Sequence, residues 1–409
     1  MEARLARRGL IVLTAINLVN YLDRYVPAAL GPSLRAALRL SDTQFGLLTS
    51  GFIVVYMLAA PVFGALGDRR ARPPLVAFGI FVWSLATALG GVAWSFVSLL
   101  AARATVGIGE AAHGTIAPTL LADYYAPTHR GRVFSVFYAA IPVGSALSYV
   151  VSGQLDVHFG WRSAFFVAGV PGLLLAALAL RLADPPRGAA EHTPPGAPAP
   201  GGAVASLTRN RAYLVTVLGY AAYTFALGGM AAFMPMFLTR VRGLPEGTAT
   251  AGFGAILVAT GFIGTATGGW IGDALLRSTR HAYLWVSGVA TLAAAPLVLV
   301  GLTSPVPRLY WSAIVVAEVL LFASTGPINS AIVNAVAPEI RATAVAASIL
   351  AIHVLGDVPS PTIIGAISDR TSLGEAVLII PVAVLVSGAI WSYGAWRGVQ
   401  AATSPAPAA

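Results

Sequence analysis

The chain has no cysteine among its 409 residues, no lysine, and charged side chains at only 10% of positions. The absence of cysteine excludes disulfides and thiolate chemistry. The absence of lysine excludes a phosphate-binding loop of the form Gly-xxxx-Gly-Lys-Ser/Thr, and with it ATP drive of that kind within the chain. There is no Gly-x-Ser-x-Gly elbow and no His-Glu-xx-His pair, so serine hydrolases and zinc peptidases of those types have no counterpart here. The exclusive use of arginine reads as genomic composition bias. What remains is apolar: 57% hydrophobic residues and a mean hydropathy of +0.78, against roughly 25% charged residues in an average soluble protein. These values describe a polytopic membrane protein. The net charge of +9 does not point to nucleic acid, because the arginines are scattered through short loops instead of gathering on one soluble face.

Apolar runs separated by Arg, Pro and Gly predict an all-α membrane protein with twelve spanning helices. They lie near 9–38, 42–66, 73–93, 95–123, 131–156, 163–183, 211–240, 246–273, 281–303, 308–336, 341–368 and 374–396. Ser41 and Gln44 have the spacing of a capping box at the second start. The first run follows Arg4, Arg7 and Arg8 but is too long for a signal core, so it is expected to stay as an uncleaved helix. The bias of arginines toward alternate loops places both termini in the cytoplasm and the chain in the inner (plasma) membrane. Residues 184–210, rich in Pro, Gly and Ala, read as a flexible cytoplasmic linker between a bundle at 1–183 and a bundle at 211–397, with a disordered tail at 398–409. The two halves echo each other. Gly64-Ala-Leu-Gly-Asp68 matches Gly269-Trp-Ile-Gly-Asp273, and Asp123-Tyr-Tyr-Ala-Pro-Thr-His-Arg130 matches Asn334-Ala-Val-Ala-Pro-Glu-Ile-Arg341 at nearly the same offset. A duplicated six-helix unit is a transporter signature.

Charge within such helices is costly, about 2.5–3.5 kcal/mol per group near the bilayer centre, and so marks function. In the first segment Asn17, Asn20, Arg24 and Pro27 recur at helical spacing, with Asp23 on the border of that face. Asp23 is a candidate proton carrier, and Arg24 its modulator or an anion-binding group. The alternative is a buried pair that fixes helix packing. In the fourth segment Arg103, Gly107, Glu110 and Gly114 form one stripe. Glu110 and Arg103 are candidates for proton coupling, or for an ion pair within or between the first and fourth helices. His113, one turn on, reads as a packed core histidine. His353 and Asp357 stand at i and i+4 beside Gly356, Pro359 and Pro361, as a gate, a second proton site, or simply kink architecture. Glu318 shares a stripe with Phe322, Thr325 and Asn329. With Asn20, Arg24, Tyr138 and Tyr223 it is a candidate substrate contact. Asp68, Arg69, Arg70 and Arg72 suggest a loop gate in which the carboxylate accepts from a neighbouring helix start, and Asp273 repeats the position. The small-residue stripes Gly144-Ser148-Ser152 and Gly264-Gly268-Gly272 suggest a rocking seam between the halves.

Several of these motifs resemble known families. Gly64-xxx-Asp68-Arg69-Arg70-Ala-Arg72, Arg103-xxx-Gly107-Ile-Gly-Glu-Ala111 and Gly160-Trp-Arg-xx-Phe165 resemble signatures of the major facilitator superfamily. Asn20-Tyr-Leu-Asp-Arg-Tyr25, Thr115-Ile-Ala-Pro118, Phe137-Tyr-Ala-Ala-Ile-Pro-Val-Gly-Ser145, Ala317-Glu-Val-Leu-Leu321 and His353-Val-Leu-Gly-Asp-Val-Pro-Ser-Pro361 are similar to the Spinster family. The resemblance implies the major facilitator fold and a proton-linked or facilitated carrier of lysolipids or sphingosine-1-phosphate. The expected activity is secondary transport of a lipid-like amphiphile by alternating access. Small organic anions or hydrophobic drugs are the second choice of substrate, and an intramembrane lipid enzyme or a non-transporting sensor are remote readings. The expected partners are the substrate, protons and membrane lipids. No cofactor, metal or nucleic acid is expected, and the chain is expected to be a monomer.

Overall fold

The computed structural model describes residues 3–40, 42–191 and 202–399, and among them there are helices and no strands. The spans in chain order are α1 (Ala3–Ala29), α2 (Asp42–Arg69), α3 (Arg72–Gly90) and α4 (Phe96–Tyr124). There follow α5 (Pro127–Phe159), α6 (Trp161–Ala179), α7 (Arg211–Arg240) and α8 (Glu246–Leu275). The last four are α9 (Ala282–Thr303), α10 (Pro307–Asn334), α11 (Pro338–Arg370) and α12 (Leu373–Trp396). Eleven helices of the described residues are long and apolar enough to cross a membrane. The twelfth, α4, has 29 residues and carries Arg103, Glu110 and Asp123 among them.

Local chemistry sets many of the boundaries. Ser95 caps α4 by accepting from the Ser98 amide at 3.2 Å while the Ser98 hydroxyl accepts from the Ser95 amide at 3.0 Å, a reciprocal cap. Asn210 caps α7 through the Tyr213 amide at 3.0 Å. Prolines occupy the first turns of α3 and α10, where a missing N–H costs nothing. Gly160, at φ 79°, turns the chain from α5 into α6. The first helical run is shorter than expected from the 9–38 apolar stretch. It ends at Ala29, and a separate helix covers Gly31–Leu38, because the Gly31-Pro32 pair disfavours continuation. Asp23 and Arg24 therefore lie in the last third of α1. Ser41 of the expected capping box lies outside the described residues, as do 192–201 of the linker and 400–409 of the tail.

Two compact units gather the chain. The first takes Met1–Tyr125, Ala140–Gly196 and Pro338–Ile349; the second takes Ala126–Ala139, Ala197–Ala337 and Leu350–Ala409. Each unit thus includes the opening turns of a long helix, α11 in the first and α5 in the second. Residues 184–191 are docked on the first unit, with Gly188 buried, and Gly202–Arg209 is helical. The polar side chains of 184–191 find partners that a Pro/Gly composition does not advertise.

Glycine lets backbones meet where function later requires rigidity. A Cβ on Gly107 would meet the Phe52 carbonyl oxygen of α2 at 2.7 Å, and one on Gly109 would meet the Trp83 amide of α3 at 2.6 Å. So α4 is held backbone to backbone on two sides. The expected seam stripes pack differently from the sequence reading. Gly264 and Gly268 lie against the Val319 and Ala323 carbonyls of α10 inside the second unit, and Gly144 lies against the Leu18 carbonyl of α1 inside the first, at 2.6 Å from an added Cβ. Their smallness serves packing within a unit. Gly109→Val should cost about 1–3 kcal/mol of stability by overpacking, read as a lower melting temperature of the purified protein. An unchanged melt would mean that the α3–α4 contact is looser than described.

Candidate functional site

The centre of the first unit is a four-residue charge cluster carried by α1 and α4. Asp23 and Arg24 are neighbours in sequence, but they do not pair with each other. Arg24 donates from Nε to Glu110 Oε2 at 2.9 Å, with a second contact from Nη2. Arg103 Nη1 stands 3.8 Å from Asp23 Oδ1, and its Nη2 donates to the Arg24 carbonyl at 3.3 Å. Thr87 of α3 donates to Asp23 Oδ2 at 2.5 Å. The geometry follows from helix faces: on consecutive residues Asp23 and Arg24 point about 100° apart, so each meets a different partner. Asp23, Arg103 and Glu110 are 1%, 4% and 1% exposed.

Aromatic rings complete the shell. The Arg24 guanidinium lies 4.7, 5.0 and 5.3 Å from the ring centres of Tyr21, Phe52 and Tyr56, and Arg103 lies 4.9 Å from Phe52. Phe52 touches both cations, which suits their weak hydration. Two acids and two bases balance, yet Asp23 Oδ1, Glu110 Oε1, Arg103 Nε and Asn20 Nδ2 have no hydrogen-bond partner among the described residues. Buried polar atoms are usually hydrogen-bonded, to protein or to ordered water. His113 is also buried, edge-on to Trp83 with ring centres 5.7 Å apart.

The second unit carries the remaining sequence candidates. Tyr138 donates to Asn329 Oδ1 at 3.0 Å. Tyr223 is 3% exposed and donates to the Leu321 carbonyl at 2.8 Å. Glu318 is fully buried, and neither carboxyl oxygen has a hydrogen-bond partner among the described residues. His353 Nδ1 faces the Asp357 carboxylate at 2.8 and 3.0 Å. Here α11 widens: the Val358 amide donates to the His353 carbonyl at 3.2 Å, a π-type turn. The Thr224 hydroxyl of α7 satisfies the Ile352 carbonyl at 3.0 Å. The expected kink near Pro359 and Pro361 is therefore a π turn that ends where Pro359 opens the next helical stretch.

At the far end of each unit a carboxylate caps a helix start. Asp68 accepts from the Ala342 and Thr343 amides, both at 2.9 Å. Asp273 accepts from the Gly131 amide at 2.9 Å, the Arg132 amide at 3.0 Å and Arg132 Nε at 3.1 Å, and the Tyr283 hydroxyl joins it at 2.8 Å. Such carboxylates satisfy otherwise orphaned N–H groups and oppose the positive end of the helix dipole. Arg72 does not join Asp68, as the loop motif suggested. It is 1% exposed and binds Asp123 Oδ2 at 2.5 Å and Asp184 Oδ1 at 2.8 Å. Arg341 reaches Asp123 Oδ1 at 3.0 Å, and Arg130 reaches Asn334 Oδ1.

A family model described as Major Facilitator Superfamily matches residues 13–361. Spinster homolog 1 of Homo sapiens is 37% identical over 387 residues, covering 88% of this chain and 72% of that protein. Spinster homolog 3 of Danio rerio is 35% identical over 393 residues, covering 88% and 76%. The chain belongs to the Spinster family of the major facilitator superfamily. It is accordingly a multi-pass membrane transporter of the twelve-helix, two-bundle fold, and not an enzyme. Solved structures agree on the fold. A bacterial homolog of the human lysosomal transporter Spinster, inward-facing and unoccupied, aligns over 100% of both chains with a TM-score of 0.65 at 23% identity. The proton:xylose symporter XylE aligns over 98% of this chain and 97% of its own, with a TM-score of 0.77 at 15% identity.

Sequence reasoning about this Spinster member missed Thr87, Asp123, Asp184, Glu191 and Arg341 as parts of charge networks. The internal repeat was a usable signal, since it aligns Asp123 with Asn334 and Arg130 with Arg341, the same pairs that bind one another crosswise. Arg24→Ala should destabilise the protein by about 3–5 kcal/mol, because Glu110 is left buried and unpaired. Arg24→Ala with Glu110→Gln should recover much of that loss in thermal melts. Simple additivity of the two changes would mean that the pair is not coupled.

Proposed function

We propose that this transporter is proton-coupled and moves an amphipathic anion, a lysophospholipid or sphingoid phosphate, by alternating access. The observation that carries the reading is the cross-paired cluster of Asp23, Arg24, Arg103 and Glu110 in an otherwise apolar bundle. Each carboxylate competes for a proton with the arginine that faces it. A proton taken from water by Glu110 converts an ion pair into a neutral acid and leaves Arg24 held mainly by ring faces. Arg24 is then available to an anionic headgroup, with Asn20 one turn away. Loss of the proton restores the ion pair and expels the anion. Asp23 and Arg103 form a second, linked pair of the same kind. The electrical part of a proton gradient would supply about 2.3 kcal/mol per charge per 100 mV.

Tyr138, Tyr223 and Glu318 are the proposed substrate contacts of the second unit, with aromatic surface suited to an alkyl chain and a carboxyl suited to a polar head. Asp68 and Asp273, capping the starts of α11 and α5, are proposed as gates that exist in one conformation only, with Arg72 supporting the first. His353 and Asp357 are proposed as a gate at the π turn, a common place for functional irregularity. The proposed organisation keeps 1–183 and 211–397 as six-helix halves joined by 184–210, with both termini cytoplasmic, in the inner membrane, as a monomer. A small organic anion or hydrophobic drug is the second reading; for the anion it is supported by the Arg24 guanidinium, which would take a charge without requiring a tail.

Proteoliposomes with an imposed pH gradient test the reading. Asp23→Asn and Glu110→Gln should each abolish accumulation of a lysophospholipid while sparing counterflow exchange, and accumulation at the wild-type level in both would remove them from coupling. Arg24→Ala should weaken binding of phosphate-bearing lipids at least about tenfold relative to uncharged analogues, the worth of one charge-assisted contact. Equal affinity for both classes would defeat the assignment.

A further inference from the structure

Residues 184–191, which follow α6, make a run of polar contacts with α2, α3, α4 and α11. The Tyr124 hydroxyl donates to the Ala183 carbonyl at 2.5 Å. Asp184 accepts from the Arg72 amide at 3.0 Å and from Arg72 Nε at 2.8 Å, and Arg72 Nη2 donates to the Pro185 carbonyl at 2.7 Å. Arg187 Nη2 donates to the Gly67 and Arg70 carbonyls at 2.6 and 2.9 Å, closing over the end of α2. The Gly188 amide donates to Asp123 Oδ1 at 2.9 Å. Glu191, with a side chain only 5% exposed, forms an ion pair with Arg341.

Charge explains why the segment docks. With the segment in place Arg72 and Arg341 are each 1% exposed, and both reach the carboxylate of Asp123. An uncompensated buried cation is strongly unfavourable. Asp184 and Glu191 supply one further carboxylate to each arginine, and the Gly188 amide uses remaining acceptor capacity on Asp123. Arg341 opens the helical stretch whose next two amides, Ala342 and Thr343, are held by Asp68. The strap therefore touches both sides of that contact: Arg187 grips the α2 end that carries Asp68, and Glu191 grips the first residue of the helix that Asp68 caps.

We infer that residues 184–191 are a strap that positions the start of α11 on Asp68, so that strap docking and closure of the Asp68 contact are linked equilibria, with Glu191 and Arg187 as positioning residues of the transport cycle. Linkage is reciprocal: whatever loosens the strap opens the contact, and opening the contact frees the strap. The inference rests on the reading of Asp68 as a gate. It needs no knowledge of the substrate.

Hydrogen–deuterium exchange of the full chain in lipid nanodiscs measures both ends at once. The Gly188 amide reports strap docking, and the Ala342 and Thr343 amides report the Asp68 contact. Glu191→Gln and Arg187→Ala should each speed exchange at both places by about tenfold, the effect of losing one charge-assisted bond. Faster exchange at Gly188 with unchanged exchange at Ala342 and Thr343 would overturn the linkage, and so would unchanged exchange at Gly188 in both variants. If Glu191→Gln does not fold, Arg187→Ala, which removes the contacts to the Gly67 and Arg70 carbonyls and also a positive charge near Asp68, decides by exchange at Gly188: unchanged exchange there overturns the linkage. Asp68→Asn judges the gate separately. Unchanged exchange at Ala342 and Thr343 in that variant would refute Asp68 as the holder of the helix, whatever the strap does.

Discussion

A charge buried in an apolar interior must be paired, and in this protein that constraint shapes both the centre of the first unit and its end. At the centre, Asp23 and Arg24 point about 100° apart on adjacent helix positions, and each takes its partner from α4. That crossing ties α1 to α4 more specifically than apolar packing could. It also needs α4 in a fixed place. Gly107 and Gly109 supply this by letting α4 rest directly on the backbones of α2 and α3. The glycine stripe and the charged stripe are therefore one device: small residues fix the helix, and the fixed helix presents Arg103 and Glu110 at pairing distance. A fully paired cluster would be a structural tie. This one leaves Asp23 Oδ1 and Glu110 Oε1 without hydrogen bonds among the described residues, and in the proposed cycle those are the atoms that take the proton.

The same rule operates at the far end of the first unit with a different outcome. Arg72 and Arg341 converge on Asp123, and Asp184 and Glu191 of the segment after α6 each meet one of the two arginines. In the second unit the repeat position of Asp123 is Asn334, which accepts from Arg130 but carries no charge. The helix-capping carboxylate is retained in both units, as Asp68 and Asp273. The duplicated plan thus keeps the helix-capping contact in both units.

Much of the fold was legible in the sequence because a bilayer imposes simple rules. Length, apolarity and Pro/Gly punctuation located twelve spans, and the repeat between the halves identified Asp68 with Asp273. The charged centre was legible because intramembrane charge is rare enough to stand out. What was not legible depended on which partner a side chain chooses. Nothing in the sequence distinguishes Arg24 paired with Asp23 from Arg24 paired with Glu110; the choice is made by helix rotation and by the close approach of α4. Arg72 was grouped with Asp68 because they are near in sequence, whereas burial sends it to Asp123 and Asp184. The break after Ala29 was marked by Gly31-Pro32, a signal outweighed by the apolar residues on either side of it. The docked strap was hidden by its composition: Pro and Gly suggested freedom, and three charged side chains among them decided otherwise. The glycine stripes on α5 and α8 signalled close approach correctly but not the neighbour approached.

Proton exchange on substrate binding is the most direct measure of whether the Asp23–Arg103 and Glu110–Arg24 pairs work as a coupled exchanger. Isothermal titration of a lysophospholipid into the purified protein, repeated in buffers of different ionisation enthalpy, reads the number of protons taken up or released per ligand. A buffer-dependent heat in the wild-type protein that vanishes in the Asp23→Asn, Glu110→Gln double variant is the predicted result. Ligand binding with a heat independent of buffer, or one equally dependent in the double variant, would contradict a role for this cluster in coupling.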